Sequence, residues 1–347
     1  MKRNYLFFII VMVTLTITLV GCGSSEGNNE GENGSEELVV YTARSESLNE
    51  AVIPNFEKET GIKVNTVTAG TGELVTRVEN EKNNPQGDVL WAADVTMLNE
   101  LTDLLEEYVS PEDDFMLDGF KNETGYFSPA FVDPTVFIVN TELIGEGTIT
   151  SFSDLLDPEL KGKIAFGDPV SSSSAFQSLM AMLYAAGDGD PLSDEAWNFV
   201  EEFIANLDGK IQGSSGQVHK GVADGEYVVG LTWEDPVIEY IRSGAPVEVV
   251  FPDEGAIFPG QAVQIIKDAK NLDNAKKFID FVLSEEIQTL AGQELTVRPL
   301  RENVELADDM VPQDEIKLFD DYDEEWVAEH TGEITSRYID LMERSLD

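Results

Sequence analysis

Residues 38–67 read LVVYTARSESLNEAVIPNFEKETGIKVNTV, and this stretch decides the fold. Residues 38–42 are a short apolar run of β-prone side chains. The box Ser47-Leu48-Asn49-Glu50 has the pattern that starts a helix. Leu48, Val52 and Phe56 then recur at helical spacing, and Gly61 supplies a stop. Residues 62–67 return to strand character. A strand, a helix and a second strand in thirty residues form one βαβ unit, which predicts a parallel pair.

The alternation continues in both directions along the chain. Thr68-Ala69-Gly70-Thr71-Gly72 is a small-residue turn into a helix with Leu74, Val75 and Val78, and Pro85 stops it before a third strand over 88–92. After helical material with Leu98, Leu101 and Leu105, the pattern restarts with strands over 135–140 and 163–167. Helices follow from about Ala175 and around Trp197, Val200 and Phe203. Further strands are expected over 227–232, 247–252 and 262–266, one long helix over 272–293, and a helical tail over 334–346. The expectation is an α/β protein with two doubly wound, mostly parallel lobes and a cleft between them. Lobe 1 is expected to span 38–132 plus about 253–300, and lobe 2 133–252 plus about 301–347.

The first 37 residues have a different logic. Lys2 and Arg3 precede an uncharged apolar run, which ends in Leu19-Val20-Gly21-Cys22. This is the layout of a signal peptide over 1–21. Cys22, the sole cysteine, stands where a bacterial lipobox places the residue that takes a diacylglyceryl group. A plain membrane anchor is the alternative, but the run is short for a full span. Residues 23–37, GSSEGNNEGENGSEE, carry no apolar side chain and suit a tether. The protein is expected outside the cytoplasm, held by lipid to the outer face of the cell membrane. With 67 Asp and Glu against 22 Lys and Arg the net charge is −45, which repels nucleic acid and anionic lipid surfaces. The acids are spread along the whole chain, as on a solvated surface, rather than gathered into a cation trap.

Here the sequence resembles a known family. The stretches VVYTARSESLNEAVIPNFEKETGIKV, TGELVTRVENEKNNPQGDVLW, FIVNTELI, SFSDLLDPELKGKIAFGDPVSSSSAF, VADGEYVVGLTWEDP, GAPVEVVFPDEGA and NLDNAKKFIDFVLSEE are similar to the extracellular solute-binding proteins of bacterial ABC importers. The group includes ferric-ion and phosphorus-compound binders. The resemblance implies the type II periplasmic-binding-protein fold, with hinge closure around a ligand. It also implies a permease and an ATPase as partners, a monomer, no cofactor, and no enzymatic activity.

Three loops suit a small anion. Thr42, Arg44 and Ser45 lie between the first strand and a helix start. Ser171, Ser172, Ser173 and Ser174 open the helix that carries Phe176, and Ser215 and His219 follow a Gly-Ser-Ser-Gly turn. Thr71 sits at another helix start. Helix N-termini offer free N–H groups and partial positive charge, and an arginine adds a charge-assisted fork. An ordinary cap remains the alternative for the serine run, and a capping or surface role for His219. Trp233, Glu234 and Asp235 follow a strand end; Asp235 with Pro236 fits a helix cap, Glu234 a ligand contact, and Trp233 a cleft wall or core. In the family the serine loop faces the cleft.

Ferric members present a histidine in the first loop, a carboxylate after the third strand and paired tyrosines, a hard-oxygen set that suits Fe(III). This chain has Arg44-Ser45, Trp91-Ala92-Ala93 and Leu231-Thr232-Trp233 at those places, and no tyrosine pair anywhere. The expected ligand is a sugar phosphate or phosphonate, with ferric ion as the alternative and no protein metal site expected. A surface enzyme or adhesin is the remaining class. No G-x-S-x-G or H-E-x-x-H occurs, the histidines are only His219 and His330, and no repeats are seen.

Overall fold

The computed structural model describes residues 37–99 and 101–345. The leader, Cys22 and nearly all of the tether lie outside the described residues. The chain begins β1 (Glu37–Thr42), α1 (Glu46–Thr60), β2 (Lys63–Thr68), α2 (Thr71–Glu81), β3 (Val89–Trp91) and α3 (Val95–Asn99). Then come β4 (Phe127–Val132), β5 (Thr135–Asn140), β6 (Ile164–Ala165), α4 (Ser173–Ala186), α5 (Asp194–Leu207) and α6 (Ser215–Ala223). The last part holds β7 (Val229–Trp233), α7 (Glu234–Arg242), β8 (Val247–Val250), β9 (Gly260–Ile265), α8 (Leu272–Leu283), α9 (Glu285–Gln293), β10 (Arg298–Pro299) and α10 (Glu324–Ser345).

Two sheets result, ordered β10-β4-β9-β3-β1-β2 and β6-β7-β5-β8. Strand alternation sends successive side chains to opposite faces, and helices cover both. On one face of the first sheet Leu38, Val40, Val89 and Trp91 pack with α1, α8 and α9 through Val52, Phe56, Phe278 and Ile287. On the other, Tyr41, Leu90 and Ala92 meet Leu74 and Val78 of α2 and Leu98 of α3. The second sheet repeats the scheme. Phe137, Val139, Val229 and Leu231 face α4, α5 and α10, while Val136 and Ile138 face α6 and α7.

The sheets are less parallel than the sequence suggests. β1–β2, β1–β3 and β6–β7 are parallel pairs. β3–β9, β4–β9, β4–β10, β5–β7 and β5–β8 are antiparallel. The reason is the crossing between lobes. β4 runs into β5 through Asp133 and Pro134 alone, and β9 and β10 come back the other way. The return to the first sheet falls after Ile257, which still packs in the second core and accepts a hydrogen bond from Thr135 N–H. The expected helix over 272–293 is two helices, because the Ser284 hydroxyl caps α9 at Ile287 N–H. The C-terminal helix starts ten residues earlier than its sequence suggests, at Glu324.

Candidate functional site

A cleft of about 560 Å³ lies where the two lobes meet. That is the size of a small-molecule site. Five helix N-termini border it: α1 at Ser45, α2 at Thr71, α4 at Ser172, α6 at Ser214 and α7 at Trp233. Each leaves first-turn N–H groups without helical partners and adds partial positive charge. Their own side chains divide them. α1 carries Glu46 in its first turn, α2 carries Glu73, and α7 carries Glu234 and Asp235; α4 and α6 carry no first-turn acid.

The hydroxyl end of the cleft is built by α2 and α4. Ser172 caps α4 through Ala175 N–H and lies 3.3 Å from the Ser174 hydroxyl. Thr71 Oγ1 is 3.5 Å from Ser173 Oγ, and Gly72 N–H donates to Ser171 O at 3.2 Å, so the lobes touch here. Ser171, Ser172 and Ser173 line the cleft, with Ser214 and Ser215 of α6 beside them. His219, one turn into α6, also lines it. Its Nδ1 is 3.5 Å from Thr232 Oγ1, and burial pushes its pKa down to about 4, so the ring is neutral at neutral pH.

The other end is charged. Arg44 Nη1 donates to Gln261 Oε1 at 2.6 Å. Arg44 Nε and Gln261 Nε2 have no partner among the described residues. Burial pulls the guanidinium below its ordinary pKa, against the pull of Asp133, Asp235 and Asp94. Asp133 is pushed well above the usual carboxylate range, by burial first and then by Asp235; the Asp235 N–H that it accepts at 3.0 Å works the other way. Asp235 is also raised by burial, and is opposed by hydroxyl hydrogen bonds from Thr296 and Ser45. Glu239, one turn along α7, is raised by burial and by Asp235, and accepts from Ser47.

Nine of the twelve candidate residues line this cleft: Arg44, Ser45, Thr71, Ser171, Ser172, Ser173, Ser215, His219 and Trp233. Thr42 and Ser174 are buried beneath it. Thr42 donates its hydroxyl to Asn49 and accepts Arg44 N–H, so it shapes the arginine loop. Glu234 is a correction. It is fully buried and receives two bonds from Arg298, from Nε at 2.6 Å and from Nη2 at 2.8 Å. Its carboxylate is committed to that pair, and its neighbour Asp235 faces the cleft instead. Asp133, Asp235, Glu239, Tyr240 and Gln261 are among the cleft residues that the sequence did not assign to a ligand. Asp133 carried no sequence signal, because β4, the strand it follows, is buried along its whole length and shows no alternation.

A profile described as a bacterial extracellular solute-binding protein matches residues 51–318. The chain belongs to the bacterial extracellular solute-binding protein family. This solute-binding protein is 30% identical over 304 residues to an uncharacterized protein of Haemophilus influenzae, covering 85% of this chain and 84% of the relative. It is 28% identical over 295 residues to iron uptake protein A1 of Synechocystis, covering 79% of each chain. The periplasmic binding protein AfuA of Actinobacillus pleuropneumoniae, solved with fructose-6-phosphate bound, matches at TM-score 0.80 and 29% identity over 88% of this chain and 98% of its own. The fold is that of type II periplasmic binding proteins, and the chain is a solute-binding protein of an ABC importer, which works with permease and ATPase subunits. Among the described residues, no cluster of three or more His, Cys, Asp or Glu side chains is placed to hold a metal ion.

Proposed function

We propose that this protein captures a small phosphate- or phosphonate-bearing solute in the cleft and delivers it to its permease as a lipid-anchored, monomeric, non-enzymatic receptor. The observation that carries the reading is the α4 N-terminus. It presents Ser172 and Ser173 to the cleft with no acid in its first turn, and Thr71 of the opposite lobe stands beside it. Oxyanions bind such termini through backbone N–H groups and hydroxyls. The likeness to AfuA with its bound sugar phosphate supports the same reading. Among the described residues that line the cleft there is no tyrosine pair of the kind a ferric centre would use, and the acids there surround an arginine. The anchor reading rests on Leu19-Val20-Gly21-Cys22.

The test is a calorimetric screen of sugar phosphates, phosphonates, inorganic phosphate and ferric citrate. A phosphorus compound is expected to bind, and Ser172→Ala with Ser173→Ala to weaken it. Each lost charge-assisted hydrogen bond is worth about 1.5–3 kcal/mol, or roughly 10- to 100-fold in Kd. Tight binding of Fe(III) with a phenolate charge-transfer colour, and of no phosphorus compound, would overturn the reading.

A further inference from the structure

Arg44 is paired differently from the other well-packed arginines. Arg298 and Arg301 are buried, and each bonds a carboxylate, Glu234 at 2.6 Å and Glu112 at 2.7 Å. Arg242, nearer the surface, clasps Asp309 with two nitrogens. Arg44 feels Asp133, Asp235 and Asp94 through space but bonds none of them. Its one side-chain bond among the described residues runs from Nη1 to the neutral amide oxygen of Gln261. The Nε–Nη2 edge, which Arg298 closes on the two oxygens of Glu234, is open on Arg44. Gln261 is almost wholly buried with its oxygen turned to Arg44, so its Nε2 is left without a partner among the described residues. Both residues line the cleft.

The unspent groups at this end are N–H donors. The nearby carboxylates are engaged elsewhere: Asp133 by Asp235 N–H, Asp235 by the hydroxyls of Thr296 and Ser45, and Glu239 by Ser47. A buried donor without an acceptor costs free energy, and a buried guanidinium without a bonded anion costs more. Two donors on one planar edge, with a third alongside, match a planar group with two acceptor oxygens, which is a carboxylate. A hydroxyl offers one oxygen and brings a proton that must itself be placed. A second phosphate would set two negative charges on one guanidinium, within reach of Asp133 and Asp235; a carboxylate sets one. Burial holds both of those acids above the usual carboxylate range, which lessens the repulsion that an incoming carboxylate meets.

We propose that the solute carries a carboxylate as well as its phosphorus group, with the phosphorus oxyanion at the α4 N-terminus and the carboxylate forked on the Nε–Nη2 edge of Arg44 and bonded by Gln261 Nε2. This rests on the phosphorus-solute reading above and narrows it to phosphono- or phosphocarboxylic acids. Arg44 and Gln261 are then the residues that determine specificity, and Ser172 and Ser173 set general affinity.

The test is calorimetry on the full-length protein with 2-carboxyethylphosphonate and 3-carboxypropylphosphonate, their parents ethylphosphonate and propylphosphonate, which lack the carboxylate, and glucose 6-phosphate. At least one carboxylate probe is expected to bind tenfold or more tighter than its parent. Arg44→Lys keeps the charge and removes the fork, and is expected to erase most of that gap. Gln261→Glu sets a carboxylate on Arg44 from within the protein and is expected to erase it too. That variant is nearly isosteric and gives Arg44 the ion pair that the other arginines have, so it serves if Arg44→Lys fails to fold. Carboxylate probes that bind no tighter than their parents, or more weakly than glucose 6-phosphate, would overturn the proposal and leave the phosphorus-solute reading standing. So would a carboxylate preference that survives in a folded variant. Binding of no phosphorus compound at all would overturn both.

Discussion

Taking the Glu234 carboxylate and the Arg298 guanidinium out of water costs several kcal/mol per ion, and only close, well-directed hydrogen bonds recover it. The two bonds at 2.6 and 2.8 Å recover part of it, and Arg298 Nη2 adds a third to Val311 O, but burial still holds the Glu234 carboxyl above its ordinary pKa. The pair joins β10 of the first sheet to the head of α7 in the second lobe, and so fixes α7 beneath Asp235. Arg298→Met would leave a buried carboxylate alone. A loss of about 3–5 kcal/mol in unfolding free energy is expected. The double variant Arg298→Met, Glu234→Gln should recover much of it, as measured by urea titration. A single variant as stable as the parent would show that the pair contributes nothing. The sequence could not assign these roles. Glu234 and Asp235 are adjacent acids at a strand end, and what separates them is Arg298, 64 positions further on. Arg44 and the serines were legible because local helix-start chemistry determines them. Asp133 was not, because its partners, Asp235 and Arg44, are supplied by the fold.

At the scale of elements, α2 and α4 meet head to head through a backbone bond, Gly72 N–H to Ser171 O. Gly72 is what lets them approach. A Cβ there would sit 3.0 Å from Ser171 Cα and 3.1 Å from its carbonyl oxygen, both backbone atoms with little room to yield. Gly72→Ala is expected to hold the lobes apart at the oxyanion end and weaken solute binding about tenfold or more. The unliganded melting temperature should change little, since each lobe keeps its own core. Calorimetry and thermal melts on one sample check this, and unchanged affinity would rule out the contact as part of the closed state. Elements with one buried face announced themselves: Leu48, Val52 and Phe56 of α1 are all core residues. β4 did not. Its sequence FSPAFV is buried along its whole length, so no alternation shows, and Pro129 argues against a strand until the register shift beside it is seen. The split between α8 and α9 turns on one serine cap inside an otherwise continuous apolar period.

At the scale of the whole molecule the acidic surface and the cleft act against each other. A chain of net charge −45 repels an approaching dianion at long range, whatever its cleft offers at contact. Screening shortens that repulsion, from about 30 Å at 0.01 M salt to about 8 Å at 0.15 M. Association of a dianion such as glucose 6-phosphate is therefore expected to accelerate as salt rises, the reverse of the usual behaviour for an anion-binding protein with a basic surface. A carboxylate on the solute adds one unit to the net repulsion, so 2-carboxyethylphosphonate should show a steeper dependence than ethylphosphonate. Dissociation is governed by the cleft, where the buried groups are screened much less, and should change little with salt for either. Stopped-flow rates for the two phosphonates between 0.01 and 0.5 M salt measure this directly. Equal slopes would mean that the encounter does not sense the carboxylate. A rate that falls with salt would mean that a local positive field at the cleft mouth overrides the charge of the whole chain.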